Sequence, residues 1–185
     1  YRALSWYLIK EKINYENRED LNSFLSNISI KFKSVEGSKQ NVIINNHNVT
    51  EKIRSQKISS IVSSIASIKA VREFLVKEQR KIGDAGGIVA EGRDIGSTVF
   101  PNAELKIFLT ATIDERAKRR KNELEAMDRG IINFEQLKKE IEQRDFEDSN
   151  RKISPLVKAK DAIEIISDGY TINEVVGMIL EIYFE

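Results

Sequence analysis

Gly87-Ile88-Val89-Ala90-Glu91-Gly92-Arg93-Asp94-Ile95-Gly96 is the stretch on which the reading of this chain turns. Its apolar start reads as a buried strand over residues 87–91, and the residues that follow read as a site at the strand's end. Gly92 and Gly96 permit a sharp turn and close approach of backbone to a ligand. Arg93 presents a rigid fork of donors suited to a phosphate. Asp94 presents a carboxylate that accepts from an amino group beside it. An Arg93–Asp94 ion pair closing a strand–loop junction explains the same residues without any ligand. A short glycine-rich turn does not by itself separate the two readings.

The sequence on either side supplies the context. Toward the C-terminus, Leu105-Lys106-Ile107-Phe108-Leu109-Thr110 reads as a strand interrupted only by Lys106. Thr112-Ile113-Asp114-Glu115 has the pattern of a capping box and opens a long charged helix. A second charged helix is expected over about 134–148, then a strand over 162–166. Thr171-Ile172-Asn173-Glu174 repeats the capping pattern ahead of a last helix with Val175, Val176, Ile179, Leu180 and Tyr183 on one face.

Toward the N-terminus, helices are expected over 1–12 and 18–27, and short strands over 30–33 and 42–44. The segment from Val35 to Gln40 reads as a turn between those strands, giving a small hairpin lobe among helices. Thr50 reads as an N-cap. Ile58, Ile61, Val62, Ile65 and Ile68 recur at helical spacing, and a further helix with Val71, Phe74 and Leu75 ends near Gly83. Apolar strands alternating with helices predict an α/β fold with a parallel sheet covered on both faces. Ligands of such sheets bind at the carboxyl ends of strands, which favours the ligand reading of residues 91–96.

Composition narrows the classes of function. The 185 residues suffice for a domain with a real core and a small inserted lobe. Lys and Arg number 30 against 29 Asp and Glu, a formal charge of +1. So balanced a chain is no electrostatic magnet for nucleic acid or an anionic membrane, and a phosphate site must be a local cluster of arginines. There is no cysteine. That leaves out disulfides, cysteine-ligated zinc and a thiol nucleophile, and it fits a reducing cytoplasm. No apolar run reaches the roughly 18 to 20 residues that span a bilayer. The chain starts at Tyr1 with the look of helix interior, so further sequence is expected upstream.

Two charged groups stand out. Arg144, Asp148 and Arg151 are spaced by four and three, and share a face if their helix runs that far. Arg116, Arg119 and Arg120 share a face just after a strand. Taken alone, each group reads first as a solvated helix surface. Ser63 and Arg72 are unremarkable alone. His47, among asparagines, reads as a loop residue without a zinc-ligating partner.

In this order the pieces resemble the bacterial cytidylate kinase family. The resemblance rests on Tyr1-Arg2-Ala3, Asn48-Val49-Thr50-Glu51-Lys52-Ile53-Arg54, and Val71-Arg72-Glu73 with Gln79-Arg80. It extends through Glu91 to Gly96, Val99 to Leu109, Arg116-Ala117-Lys118-Arg119-Arg120, and Arg144-Asp145 to Arg151 with Pro155-Leu156. It covers essentially the whole chain.

The resemblance implies the P-loop nucleoside-monophosphate-kinase fold, three layers about a parallel sheet. Residues 1–27 and 67–185 would form the core, 28–66 a CMP-binding insert, and about 112–150 a helical lid. It implies transfer of the ATP γ-phosphoryl group to CMP or dCMP, with Mg²⁺, by a cytoplasmic monomer that binds neither nucleic acid nor membrane.

Carried over by position, Ser63, Arg72 and Asp94 would face cytosine. Asp148 would accept from ribose hydroxyls with Arg144 beside it. Arg2, Arg93 and Arg151 would grip the CMP phosphate, with Tyr1 in the same pocket. Arg116, Arg119 and Arg120 would belong to the lid, and Arg93, Arg119 and Arg151 would be catalytic. No protein-ligated metal is implied.

Two departures bear on this. Glu91 stands where the family often has aspartate. No Gly-x-x-x-x-Gly-Lys-Ser/Thr loop occurs in these residues, so the phosphate-cradling loop is expected upstream of Tyr1 and this piece alone should be inactive. A catalytically inactive CMP-binding module and a kinase of another nucleoside monophosphate remain the alternatives.

Overall fold

The computed structural model describes residues 1–33, 40–126 and 132–185. The turn expected from Val35 to Gln40 lies, except for Gln40, outside the described residues. The chain forms two compact units, Tyr1–Val89 and Ala90–Glu185.

The first unit begins with α1 (Arg2–Lys10) and α2 (Arg18–Ser26). Asn17 starts α2 by accepting from the Glu19 and Asp20 amides, and those two acids suit a helix N-terminus. Strands β1 (Ile30–Lys33), β2 (Asn41–Ile44) and β3 (His47–Asn48) then pair antiparallel in that order. Ile30 faces Ile44 and Phe32 faces Val42.

Asn45 and Asn46 join β2 to β3 with φ of 41° and 67°. Asparagine tolerates this left-handed region, as a tight hairpin turn requires. His47, read as a loop residue, is therefore in a strand, its ring 5.9 Å from Trp6 and 5.8 Å from Tyr7. Thr50 does not cap a helix. Its hydroxyl accepts from the Val42 amide at 3.0 Å and donates to the Asn48 side chain at 2.7 Å, which pins the edge of the small sheet.

A 3₁₀ turn at Lys52–Arg54 leads into α3 (Gln56–Ser67), capped by Ser55, and then α4 (Lys69–Gly83). Leu4, Leu8, Leu21, Leu25, Ile44, Val49, Ile65, Val71 and Leu75 form one buried core. Pairs such as Leu4 and Leu8, or Val71 and Leu75, lie one helical turn apart, so each helix buries one stripe. Each fully buried aliphatic side chain contributes about 1.5–3 kcal/mol.

The strand expected over 87–91 does not form. Gly86 and Gly87 adopt φ of 69° and 62°, which bends the backbone just where the apolar run begins. No described strand pairs with Ile88 and Val89, and both side chains are exposed. An extended segment without a ladder leaves its amides to solvent, so apolar sequence alone does not make a strand.

The second unit opens with a π-helical turn at Ile95–Val99. It continues with β4 (Ile107–Thr110), α5 (Ile113–Ala126), α6 (Phe134–Asn150), β5 (Ile163–Ile166) and α7 (Ile172–Phe184). Strands β4 and β5 pair in parallel, with Ile107 opposite Ile163 and Thr110 opposite Ile166. This is the expected parallel connection, with two helices in the crossover. Cover on both faces of the pair is not seen among the described residues: Leu109, Ile163 and Ile166 are exposed, as is much of the apolar stripe of α7.

Candidate active site

In the first unit, α1, α3 and α4 each carry part of the expected acceptor site. Arg72 is only 2% exposed, near the start of α4. Its Nε donates to the Ala66 carbonyl at 3.1 Å, at the end of α3, and its guanidinium carbon lies 5.1 Å from the centre of the Tyr1 ring. A cation over an aromatic face offsets part of the cost of burying its charge. Arg2 donates to the Ile53 carbonyl at 2.7 Å and, through both terminal nitrogens, to the Ser59 hydroxyl at 3.1 Å. Ser63 is half-buried on α3, one turn beyond Ser59. Tyr1 and Arg72 are thus in contact, and Arg2 is fixed to the helix that carries Ser63.

In the second unit the central feature is Asp148, 5% exposed near the end of α6. Arg93 Nε lies 3.2 Å from its Oδ2, Arg144 Nε 4.0 Å from Oδ2, and Arg151 3.4 Å from Oδ1. Helix α6 ends at Asn150, and Arg151 is its C-cap in extended conformation. The three residues spaced by four and three therefore meet across a helix end. Leu156 N–H closes the turn on the Asp148 carbonyl at 2.7 Å, and Arg151 Nε donates to the Ser154 carbonyl at 2.5 Å. Three guanidinium groups about one carboxylate leave a surplus of positive charge, the local basic cluster that the balanced composition requires of a phosphate site.

Asp94 is 6% exposed and precedes the π-helical turn. Its carbonyl accepts from Thr98 N–H at 2.9 Å and Val99 N–H at 3.1 Å, which fixes the backbone that carries it. Of the two glycines here, Gly92 is the one short of space. A Cβ on Gly92 would sit 2.9 Å from the Ile95 side chain. Neither Gly92 nor Gly96 has positive φ.

Arg116, Arg119 and Arg120, expected in a lid, have separate partners. Arg116 bonds the Ala111 carbonyl at 3.1 Å and Asp145 on α6 at 2.6 Å. Arg119 pairs with Glu115 at 2.8 Å and reaches Ser167 after β5, its hydroxyl at 3.0 Å and its carbonyl at 2.5 Å. Arg120 pairs with Glu123 at 2.6 Å. The Thr112 hydroxyl caps α5 at the Glu115 amide as expected, at 3.3 Å. The return bond to the Thr112 amide comes from Asp168, at 3.0 Å, and not from Glu115. The Asp168 carboxyl is held below its ordinary value by the bonds from the Thr112 hydroxyl and amide, with Arg119 adding to the effect.

Ser59, Asp145 and Ser167 were not expected as partners of these arginines. Ser59 carried a faint signal, one helical turn before Ser63. The other two partnerships come from distant segments and had none.

A model of the cytidylate kinase family matches residues 1–185 of this chain. The chain belongs to the cytidylate kinase family. It is similar to the bifunctional pantoate ligase/cytidylate kinase of Prochlorococcus marinus strain MIT 9215, 67% identical over 183 residues, 99% of this chain. The protein of the same description from strain MED4 is also 67% identical over 183 residues, and that of strain SARG is 45% identical over 185. The chain spans 36% of the length of each of these relatives.

Proposed function

We propose that this chain carries the acceptor site and lid of a cytidylate kinase, which transfers the γ-phosphoryl group of ATP to CMP or dCMP. The observation that carries this reading is the gathering of Arg93, Arg144 and Arg151 around buried Asp148. The arginine surplus suits a phosphate dianion and the carboxylate suits ribose hydroxyls. The family match and the relatives' names support the same reading.

In the second unit, Arg93 and Arg151 bind the CMP phosphate; in the first unit, Arg2 is a candidate phosphate ligand. Asp148 accepts from the sugar, with Arg144 beside it. In the second unit, Asp94 is suited to accept from the exocyclic amine of cytosine; in the first unit, Arg72 is suited to donate to the ring acceptors, with Tyr1 against it and Ser63 on α3 as a further candidate. Uracil reverses donor and acceptor at two positions and would leave buried groups unpaired, a loss worth up to about 10⁴-fold.

The attacking oxygen already bears negative charge, so no general base is assigned. Catalysis is placement and positive charge on the migrating group. The donor substrate is the Mg²⁺ complex of ATP. Mg²⁺ retains water and binds largely through phosphates. Arg116, Arg119 and Arg120 exchange Asp145, Ser167 and Glu123 for donor phosphates when the lid closes.

The test is Mg·ATP-dependent turnover by the full-length protein with CMP, dCMP, UMP and AMP. Turnover with CMP or dCMP well above the other two is expected. Absence of turnover with both cytosine nucleotides overturns the proposal.

A further inference from the structure

Lys106 interrupts the apolar run that leads into β4, and the substrate contacts proposed above do not use it. It is only 9% exposed. A buried ammonium is costly unless oxygens surround it. Here Nζ lies 2.5 Å from Asp161 Oδ2 and also donates to the Pro101 carbonyl. The bond from Lys106 holds the Asp161 carboxyl below the usual range. The Lys106 carbonyl accepts from Ile163 N–H at 2.9 Å, which keeps this residue in register with the start of β5.

The stem matters as much as the charge. A Cβ on Gly96 would lie 3.4 Å from Lys106 Cδ and 3.5 Å from Cγ. The Lys106 stem therefore lies beside Gly96, near the start of the Ile95–Val99 turn, and its ammonium bonds Pro101, just past the turn's end. That turn begins immediately after Arg93 and Asp94. Its first carbonyl, that of Asp94, is fixed from within the turn by Thr98 and Val99.

We propose that Lys106 is a positioning residue for the acceptor nucleotide: its ammonium, held by Asp161, clamps the turn that presents Arg93 and Asp94. The inference rests on the reading of those two residues as CMP-binding groups. Loss of the clamp acts on acceptor binding and base choice, and leaves donor binding intact.

The experiment uses the full-length protein and measures kcat, KM for CMP, KM for ATP, the CMP-to-UMP preference and Tm. Lys106→Met keeps an apolar stem and removes the donor. It is expected to raise KM for CMP about tenfold and erode the preference over UMP, because small misplacements of binding groups are costly. KM for ATP stays unchanged. A fall in Tm or kcat with both KM values and the preference unchanged would mark Lys106 as purely structural and overturn the proposal. Asp161→Asn, at an exposed carboxylate, decides the matter if Lys106→Met does not fold. A rise in KM for CMP supports the clamp, and an unchanged value overturns it. Arg93→Ala separates the two levels of argument. If it leaves CMP binding intact, the acceptor-site reading fails. If it weakens CMP binding while Lys106→Met does not, only the clamp fails.

Discussion

Arg93 shows what single residues decide. Its neighbours in sequence left an Arg93–Asp94 ion pair as a rival explanation, but the partner 3.2 Å away is Asp148. That pairing joins two segments more than fifty residues apart, and no local pattern encodes it. Arg93→Ala in the full-length protein should raise the CMP dissociation constant about 10- to 100-fold, the value of charge-assisted bonds to a phosphate. Titration calorimetry checks this, and equal binding by variant and wild type would remove Arg93 from the phosphate site. Arg119→Met should behave differently. Its guanidinium is proposed to act in a lid, so CMP binding should persist in calorimetry while kcat falls. Gly92 reads from sequence as a place of close approach to a ligand; in the fold, a Cβ there would meet the Ile95 side chain.

At the scale of elements, capping chemistry was read well where both partners are local. Thr171 and Glu174 form the complete reciprocal box at the start of α7. Thr171→Ala should lower thermal stability by about 1 kcal/mol. At α5 the local pattern was the same, but Arg119 engages Glu115 and Asp168 takes its place at the Thr112 amide. This tie has a pH signature. A carboxyl with folded pKa below its unfolded value stabilises the fold above the unfolded value and loses that contribution as pH falls through the folded one. For Asp168 the ordinary value is 3.8. The stability gap between wild type and Asp168→Asn in urea melts should be full at neutral pH and close as the pH drops below that value. A gap that persists at the lowest pH would mean the carboxylate's charge is not what matters. The expected strand at 87–91 failed for the opposite reason: its apolar residues were local, but the ladder it needs is not.

For the molecule as a whole, each unit answers to its own contacts. The first is centred on the core shared by α1, α2, α4, the end of α3 and the small sheet. Ile65, fully buried there, should cost about 2–5 kcal/mol as Ile65→Ala in chemical denaturation. A loss below about 1 kcal/mol would mean that this core is not tightly packed. The sequence by itself determined the helices with clear apolar stripes, the parallel strand–helix–strand pattern of the second half, the arginine-rich segments and their order. Those features repeat over a few residues, and hydrophobic burial and helix capping act over that range. Only the tertiary structure decided that Arg93 joins Arg144 and Arg151 at buried Asp148, that Asp168 completes the cap of α5, and that Lys106, just ahead of β4, pairs with Asp161. Each of these joins segments that local patterns do not connect, and the pairing of charges and hydrogen bonds there is fixed by distance in space, which sequence spacing does not specify.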